Sequence, residues 1–384
     1  MPSHDLSSDH RIQAALKTVL DRGETSVGVA VYYRGKLIVD VVAGHADVDT
    51  GKLANAGTLF PVFSVTKGIT ALAVHVQAER GLLRVEEPIA KYWPEFAVNG
   101  KSNITIEQAL SHRAGIPQMP ADVTPELMAD WEWMVQQVAN FTPVFPPGKT
   151  NAYHVLVWGW ILGEVVRRTD PLHRPFNVFL TEEIFAPLGV ANDLFFGVPE
   201  IELPRVATLY GFDEDFLENH HNVNPASVFP GSKVHNLKIV QQTVDPGAGA
   251  IGTPAAIARI FALIAEAGEL GGVRLLSRER VRGLTRLRDG GHDQDQILPF
   301  PVWFGASGFW LGGEPGASDP LVGNHREIVY SPGAGGSVAW ADIRDRIAVA
   351  ICHGNMDVQA LTDPEPIWAP IGRAIRDIIA EQDR

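Results

Sequence analysis

The spacing of hydrophobic residues switches between helical and strand-like patterns near both ends of the chain. The segment 9–23, DHRIQAALKTVLDRG, has apolar residues three or four positions apart and predicts an amphipathic helix. The next segment, SVGVAVYYRGKLIVDVVAG, predicts two strands joined by a hairpin turn at Arg34-Gly35. Strand-like runs return near the other end as SGFWLGG, EIVYSPG, SVAWADI and RIAVAICHG. We therefore predict one sheet that the two ends of the chain complete together.

A mostly helical region lies between these strands. KGITALAVHVQAERGLL predicts a helix that ends at Gly81, and a helical or irregular stretch rich in Pro and Trp follows. TPAAIARIFALIAEAG predicts a further helix, and a last one carries Trp368, Ile371, Ile375 and Ile378 on one face. We predict an α/β (α+β) protein with a sheet domain from residues 1–70 and 236–384, a helical lobe at 71–235, and an active site between them.

Charge and composition narrow the classes of partner. The 384 residues include 32 Lys+Arg and 45 Asp+Glu, and the formal net charge of −13 argues against nucleic acid or an anionic membrane. The first residues carry no basic segment followed by an apolar core, so we expect a cytoplasmic protein with a small-molecule partner. The single cysteine, Cys352, lies in a strand-like run and is expected to be a buried thiol. The oligomeric state stays open.

The first candidate for chemistry is the stretch FPVFSVTKG, where an apolar run turns helical. Ser64 and Lys67 are three residues apart, which places their β-carbons about 5–6 Å from each other on one helix face. A serine becomes a good nucleophile when a neighbouring base takes its proton, and burial favours the neutral, basic form of a lysine. The spacing alone is weak evidence, because Ser-x-x-Lys arises by chance about once in a chain of this length.

Further segments strengthen the interpretation. TLFPVFSVTKG, GLLRVEEPIAKYWPEF, TIEQALSHRAGIP, FPPGKTNAYHVLVWGWILGEVVRR and GAGAIGTPAAIARIFA resemble the serine β-lactamase and penicillin-binding-protein superfamily, most closely the family VIII carboxylesterases related to class C β-lactamases. The resemblance covers residues 25–355. It implies an antiparallel sheet flanked by helices, with an inserted helical lobe and Ser64 as the nucleophile.

The resemblance places the family's catalytic tyrosine at Tyr153. We expect a nearby lysine ammonium to lower the pKa of this phenol toward the working pH, so that Tyr153 with Lys67 takes and returns the proton. The alternative is a core tyrosine bonded to backbone. Most β-lactamases have an asparagine two residues further on, which holds the amide of the antibiotic, and here that position is Val155. This departure argues against hydrolysis of β-lactams.

The family's third motif, Lys or His followed by Thr, Ser or Gly and then Gly, matches Ser331-Pro332-Gly333. Because proline has no N–H for a ladder bond, we expect Pro332 at a strand edge or bulge, and the register of the motif stays open. The resemblance implies an oxyanion hole formed by the N–H groups of Ser64 and Ala334. Without the cation at Ser331 a neutral ester fits better than a penicillin, unless His325 or Arg326 supplies the charge.

Other signals are weaker. The substrate-pocket candidates are His154, Ser331, Gly333, Trp131 and Trp310, although core packing explains the large aromatic residues equally well. Gly247-Ala248-Gly249-Ala250-Ile251-Gly252 matches GxGxxG but follows Asp-Pro rather than a strand, so we expect a tight loop and no dinucleotide. The pair His220-His221 lies in a polar loop without metal-ligand spacing, and no metal or organic cofactor is predicted.

The most specific interpretation is a serine carboxylesterase that acts through an acyl-enzyme on Ser64. Two alternatives stay open. The same residues would also support a β-lactamase, a D-amino peptidase or amidase, or an acyltransferase, and fold-level likeness does not separate these activities. A non-catalytic binding protein of the same fold is the other alternative, although binding alone would not require Ser64, Lys67 and Tyr153 together.

Overall fold

The computed structural model describes residues 5–211, 223–291, 293–313, 321–357, 363 and 365–382. Within these ranges the helices are α1 His10–Asp21, α2 Val65–Glu79, α3 Ile106–Leu110, α4 Pro125–Ala129, α5 Trp131–Asn140, α6 Val157–Thr169, α7 Phe176–Leu180, α8 Ser232–His235, α9 Lys238–Gln242, α10 Pro254–Ala265, α11 Arg278–Gly283 and α12 Ala369–Gln382. The strands are β1 Ser26–Tyr33, β2 Lys36–Asp47, β3 Lys52–Leu53, β4 Phe60–Pro61, β5 Leu194–Phe196, β6 Ala250–Gly252, β7 Glu269–Leu270, β8 Val273–Arg274, β9 Trp310–Leu311, β10 Ile328–Pro332, β11 Val338–Asp342 and β12 Ile347–His353.

An antiparallel sheet joins the two ends of the chain, as predicted. Among the described residues its order is β3-β2-β1-β12-β11-β10-β9. The contact between the ends is the pairing of β1 with β12, in which Ala30 lies opposite Ala350. The hairpin between β1 and β2 turns at Arg34 and Gly35, both with positive φ, which glycine adopts without strain. Cys352 is a buried thiol in β12, and burial raises the pKa of this thiol.

Both faces of the central sheet are covered, which explains why β1 reads as a nearly continuous apolar run. Alternate residues of β1 point to opposite faces. Ala30 and Tyr32 belong to the larger core, together with Phe261 of α10. Val29 and Val31 lie on the other face, in the core that contains residues of α1 and α12. Helices therefore flank the sheet on both sides.

The larger core continues from the sheet into the helical region. It includes Ala350 of the sheet, Ile257 of α10, Ile161 of α6 and Phe179 of α7 in one cluster of buried side chains. The division at 1–70, 71–235 and 236–384 stays a prediction, because this continuous core crosses both boundaries.

In the described part of the chain, none of the helices combines the length and the apolar character needed to cross a bilayer.

A second, smaller sheet brings distant segments to the start of α2. Its order is β4-β6-β5, and β4 pairs with β6 through Phe60 and Gly252. The loop that precedes β6 also packs against α6, where a β-carbon on Gly159 would lie 2.1 Å from the backbone nitrogen of Gly247. This close approach of helix and loop backbone requires glycine at position 159.

We predict that Gly159→Ala lowers the free energy of unfolding by about 1–3 kcal/mol, because the new methyl group meets backbone rather than a flexible side chain. The control is Gly283→Ala at the end of α11, where a β-carbon meets no atom within 4 Å. This control should be neutral or slightly stabilising. Denaturant unfolding of both variants measures the difference, and equal stability of the two would contradict the packing argument.

Candidate active site

A strained backbone turn places Ser64 at the start of α2. Phe63 has a φ of 48°, in the left-handed region that a bulky residue adopts only at a cost of about 1–3 kcal/mol. The centroids of the Phe63 and His235 rings are 4.4 Å apart, and this contact holds the turn in place. Ser64 occupies the N-cap position of α2, yet its hydroxyl does not cap the helix. The Ser64 side chain is therefore available for other contacts.

Lys67 lies one turn further along α2, and its amine is almost completely enclosed. Nζ lies 3.0 Å from Ser64 Oγ, and it donates hydrogen bonds to the carbonyl oxygens of Val155 at 2.6 Å and Gly247 at 2.8 Å. Burial lowers the pKa of the Lys67 amine, and the carboxylate of Asp245 acts in the opposite direction. Two of the three directions around Nζ face carbonyls, and the third faces the serine.

Tyr153 completes the group. The Ser64 side chain is near enough to its phenol to lower the phenol's pKa, and Lys67 Nζ lies 5.1 Å from the centroid of its ring. Burial raises the pKa of Tyr153 above its ordinary value, the Ser64 side chain lowers it, and the charge of Asp295 raises it. The prediction that the pKa of Tyr153 falls is wrong, because burial destabilises the phenolate more than the neighbouring Ser64 stabilises it. Tyr153 is a neutral phenol at neutral pH.

The third sequence motif lies at the end of β10. Pro332 is the last residue of this strand, beyond the two residues that pair with β9, so its missing N–H costs no bond to β9. Ser331 Oγ donates to the backbone carbonyl of Ser64 at 2.7 Å. A β-carbon on Gly333 would lie 2.4 Å from the carbonyl oxygen of Val62. The motif therefore packs against the segment that carries the nucleophile.

The residue after this motif is Ala334, which packs against Phe63, Leu209 and Met356 beside the nucleophile turn. The assignment of the Ser64 and Ala334 N–H groups to an oxyanion hole stays a prediction. It is compatible with the hydrogen bonds of the described residues, in which neither of these two N–H groups donates to a backbone carbonyl.

Two of the pocket candidates have structural contacts instead. His154 is fully buried, its Nε2 accepts from the Ile116 N–H at 3.2 Å, and its Nδ1 lies 2.6 Å from the Ala152 carbonyl. Both ring nitrogens of His154 therefore contact backbone groups, and His154 does not present a polar atom to a substrate. Trp131 donates to Glu164 at 2.9 Å and links α5 to α6. Both residues therefore make the structural contacts that the packing alternative expected.

Trp310 and Ser331 do lie next to the catalytic candidates. The Trp310 ring meets the Tyr153 ring edge-on, with 6.3 Å between centroids. Ser331 uses its hydroxyl on the Ser64 carbonyl, so in this structure it supports the nucleophile rather than offering a donor to a substrate carboxylate. His325 does not restore the missing cation, because its Nε2 lies 2.8 Å from Asp342 at the opposite end of β10.

One group of metal-ligand residues exists within the described ranges, namely His325, Asp342 and Asp345. His325 Nδ1 accepts from the Glu327 N–H at 3.3 Å, so its proton lies on Nε2 and is directed at Asp342. Asp345 is paired with Arg344 at 2.9 Å. These contacts form a hydrogen-bond network that includes the ion pair of Asp345 with Arg344. The pair His220-His221 lies outside the described residues.

Asp245 and the carbonyls of Val155 and Gly247 are parts of the site that the sequence patterns did not reveal. The Asp245 carboxylate accepts from the Gly247 N–H at 2.7 Å, which fixes the loop whose carbonyl faces Lys67. Burial raises the pKa of Asp245. Gly247 lies 180 residues from Lys67 and acts through its backbone, so no side-chain pattern could have identified it.

The fold and this grouping of serine, lysine and tyrosine define a class, the serine hydrolases of β-lactamase fold. The family model described as Beta-lactamase matches residues 9–359, and the chain belongs to this family. The esterase/β-lactamase LipL of Mycobacterium tuberculosis is 32% identical over 346 residues, which cover 85% of this chain and 76% of LipL.

Solved structures agree with this assignment. A family VIII carboxylesterase superposes with a TM-score of 0.84 at 28% identity, and the match covers 98% of both chains. A penicillin-binding-protein homologue from Caulobacter crescentus gives a TM-score of 0.80 at 30% identity, over 96% of this chain and 97% of that one. The resemblance seen in the sequence and the fold that it implied are confirmed.

We predict that Ser331→Ala lowers kcat/KM for an ester about tenfold, equivalent to about 1.4 kcal/mol, because the Ser64 carbonyl loses a buried hydrogen bond that orients the nucleophile. Ser307→Ala is the matched control, since Ser307 is also buried and donates to the Leu284 carbonyl at 2.7 Å. Both variants should lose about 1 kcal/mol of stability. Equal kcat/KM values for the two variants would show that the Ser331 bond has no role at the nucleophile.

Proposed function

We propose that this protein is a serine carboxylesterase that cleaves small neutral esters through an acyl-enzyme on Ser64. The observation that carries the proposal is the contact of 3.0 Å between Ser64 Oγ and the enclosed amine of Lys67. A hydroxyl next to a buried amine is an activated nucleophile. The esterase relatives support the same reaction type, since LipL is described as an esterase/β-lactamase and a close structural neighbour as a carboxylesterase.

Proton transfer follows from the contacts of the amine. In its neutral form Lys67 keeps two N–H groups for the carbonyls of Val155 and Gly247, and its lone pair faces Ser64 Oγ. The hydroxyl proton passes to this lone pair as Oγ attacks the ester carbonyl carbon. The N–H groups of Ser64 and Ala334 are the proposed donors to the oxyanion.

The neutral phenol of Tyr153 suits the second half of acylation. The tetrahedral intermediate collapses, the bond between the carbonyl carbon and the alkoxy oxygen breaks, and the departing alkoxide takes a proton from the Tyr153 hydroxyl. The ammonium of Lys67 returns a proton to the phenolate. Water then attacks the acyl-enzyme with Lys67 as its base, which releases the acid and restores the Ser64 hydroxyl. Side chains and backbone fill every role.

Two features favour an ester over a penicillin. The hydroxyl of Ser331 is directed at the Ser64 carbonyl, and no lysine or histidine occupies this position to bind a substrate carboxylate. Val155 contributes a carbonyl to Lys67 and has no side-chain amide to hold the acyl amide of a β-lactam. β-Lactam hydrolysis is the second candidate, because the name of LipL includes it.

Purified protein offered a short and a long p-nitrophenyl ester and a chromogenic cephalosporin tests the proposal. We expect turnover of esters, with the short one preferred, and a loss of at least about 1,000-fold in Ser64→Ala. The trapped acyl group should be found on Ser64 by mass spectrometry. Cephalosporin turnover well above ester turnover would favour the lactamase, and failure of a fluorophosphonate to label Ser64 would favour a binding protein.

The pH dependence follows from the state of Lys67. Only the neutral amine accepts the Ser64 proton, so fluorophosphonate labelling should accelerate as the pH rises through the pKa of Lys67. Because burial lowers this pKa, the half-maximal rate should lie well below the ordinary value of 10.5. Asp245 raises the pKa of Lys67, so Asp245→Asn should shift the half-maximal rate to lower pH. A shift to higher pH, or none, would exclude Lys67 as the base.

A further inference from the structure

A buried carboxylate holds the backbone of Tyr153. Asp295 Oδ1 accepts the Tyr153 N–H at 3.0 Å, and it also accepts the N–H groups of Ile297 at 2.9 Å and Leu298 at 3.1 Å. The carboxylate is completely buried. One oxygen atom therefore joins the segment that carries the phenol to a loop more than 140 residues away in the sequence.

The same loop contacts the Tyr153 segment at a second point. The Gln296 N–H donates to the Asn151 carbonyl at 2.9 Å, and the Asn151 amide donates to the carbonyls of Gly290 and Asp293 at 2.7 and 3.0 Å. Residues 151–154 belong to neither a helix nor a strand. Their conformation is consequently set by these contacts, together with the hydrogen bonds that the Ala152 and His154 N–H groups donate to His112, and not by regular backbone bonding.

Arg288 faces the other oxygen of Asp295. Its Nη2 lies 3.9 Å from Asp295 Oδ2, and both side chains are completely buried. Arg288 Nη1 donates to the Ser111 carbonyl at 2.8 Å, and the guanidinium lies 4.7 Å from the centroid of the Phe304 ring. That ring in turn stacks on Tyr153 with 5.7 Å between centroids. The ion pair and the phenol are parts of one packed unit.

The pair is a poor source of stability. Asp295 Oδ2 and the Nε and Nη2 atoms of Arg288 have no hydrogen-bond partner among the described residues, although all three are buried. A buried ion pair with incomplete hydrogen bonding is often no better than two apolar side chains of the same size. Apolar side chains cannot replace the three N–H groups that Asp295 Oδ1 accepts, and of these the Tyr153 N–H belongs to the segment that carries the phenol.

We infer that Asp295 is a positioning residue for Tyr153, and that Arg288 provides the counter-charge that holds the Asp295 carboxylate in place. Asp295 holds the backbone of Tyr153 so that the phenol reaches Ser64 Oγ. This role rests on the proposed function, because it assumes that Tyr153 transfers the proton in ester cleavage. The loop 293–298 then aligns the Tyr153 phenol, which is carried by a segment that is neither helix nor strand.

The test compares two double variants that both lack the buried charges and differ only in the acceptor. Asp295→Asn with Arg288→Met keeps an amide oxygen at the Tyr153 N–H, whereas Asp295→Leu with Arg288→Met removes it. We expect the leucine variant to lose about 100-fold in kcat for a p-nitrophenyl ester with KM changed less than twofold, and the asparagine variant to stay within about fivefold of the wild type. Thermal unfolding of each variant reports its stability.

A matched control separates positioning from general damage. Asp170 is also buried and accepts the Arg174 N–H at 3.0 Å, and it follows the far end of α6, a helix about 20 Å long that begins shortly after Tyr153. Asp170→Leu with Arg174→Met should lower stability without changing kcat. Equal kcat values for the two Asp295 variants, or a similar kcat loss in the Asp170 control, would overturn the inference.

Hydrogen exchange keeps the two proposals distinguishable. If the wild type cleaves no ester, the proposed function fails. The exchange rate of the Tyr153 amide hydrogen then still shows whether Asp295 holds the Tyr153 backbone. We expect at least a tenfold faster exchange in the leucine variant than in the asparagine variant at equal global stability. The same exchange rate in both variants would show that Asp295 does not hold Tyr153.

Discussion

The candidate site depends on one constraint, the enclosure of a lysine amine next to a serine hydroxyl. An ammonium that leaves water loses several kcal/mol of hydration, and the structure offsets part of this with two backbone carbonyls and a distant carboxylate. The residual cost lowers the pKa of Lys67 and makes the amine a usable base. Activation of Ser64 and destabilisation of the charged amine are thus the same physical effect.

The rest of the fold serves to bring the partners of this amine together. One carbonyl comes from the loop before α6, and the other from the loop before β6. The close contact between Gly159 and Gly247 fixes the distance between these loops. The small sheet of β4, β5 and β6 then attaches the same region to the segment that leads into Ser64. A long, continuous core behind them keeps the arrangement rigid.

Several features of this region are costly for stability. Phe63 has a left-handed backbone, Lys67 and Asp245 are buried, and Arg288 and Asp295 are buried with unpaired atoms. Such costs are typical of sites where geometry is fixed in advance for a reaction. The sheet compensates for them with β-strands that are apolar on both faces and with helices that cover each face. The well-packed sheet therefore supports a site that contains strained and unpaired groups.

The sequence by itself determined the elements whose patterns are local. The hairpin at Arg34-Gly35, the helices α1 and α12 and the strands near both ends follow from spacing and turn residues. Ser64 and Lys67 were identified from their spacing, and Tyr153 from the resemblance. Only the tertiary structure decided the contacts made by backbone atoms, since a carbonyl such as that of Gly247 has no side-chain signature. It also decided the pKa of Tyr153 and the positions of His154 and Trp131, because burial and contact partners depend on segments far apart in the chain.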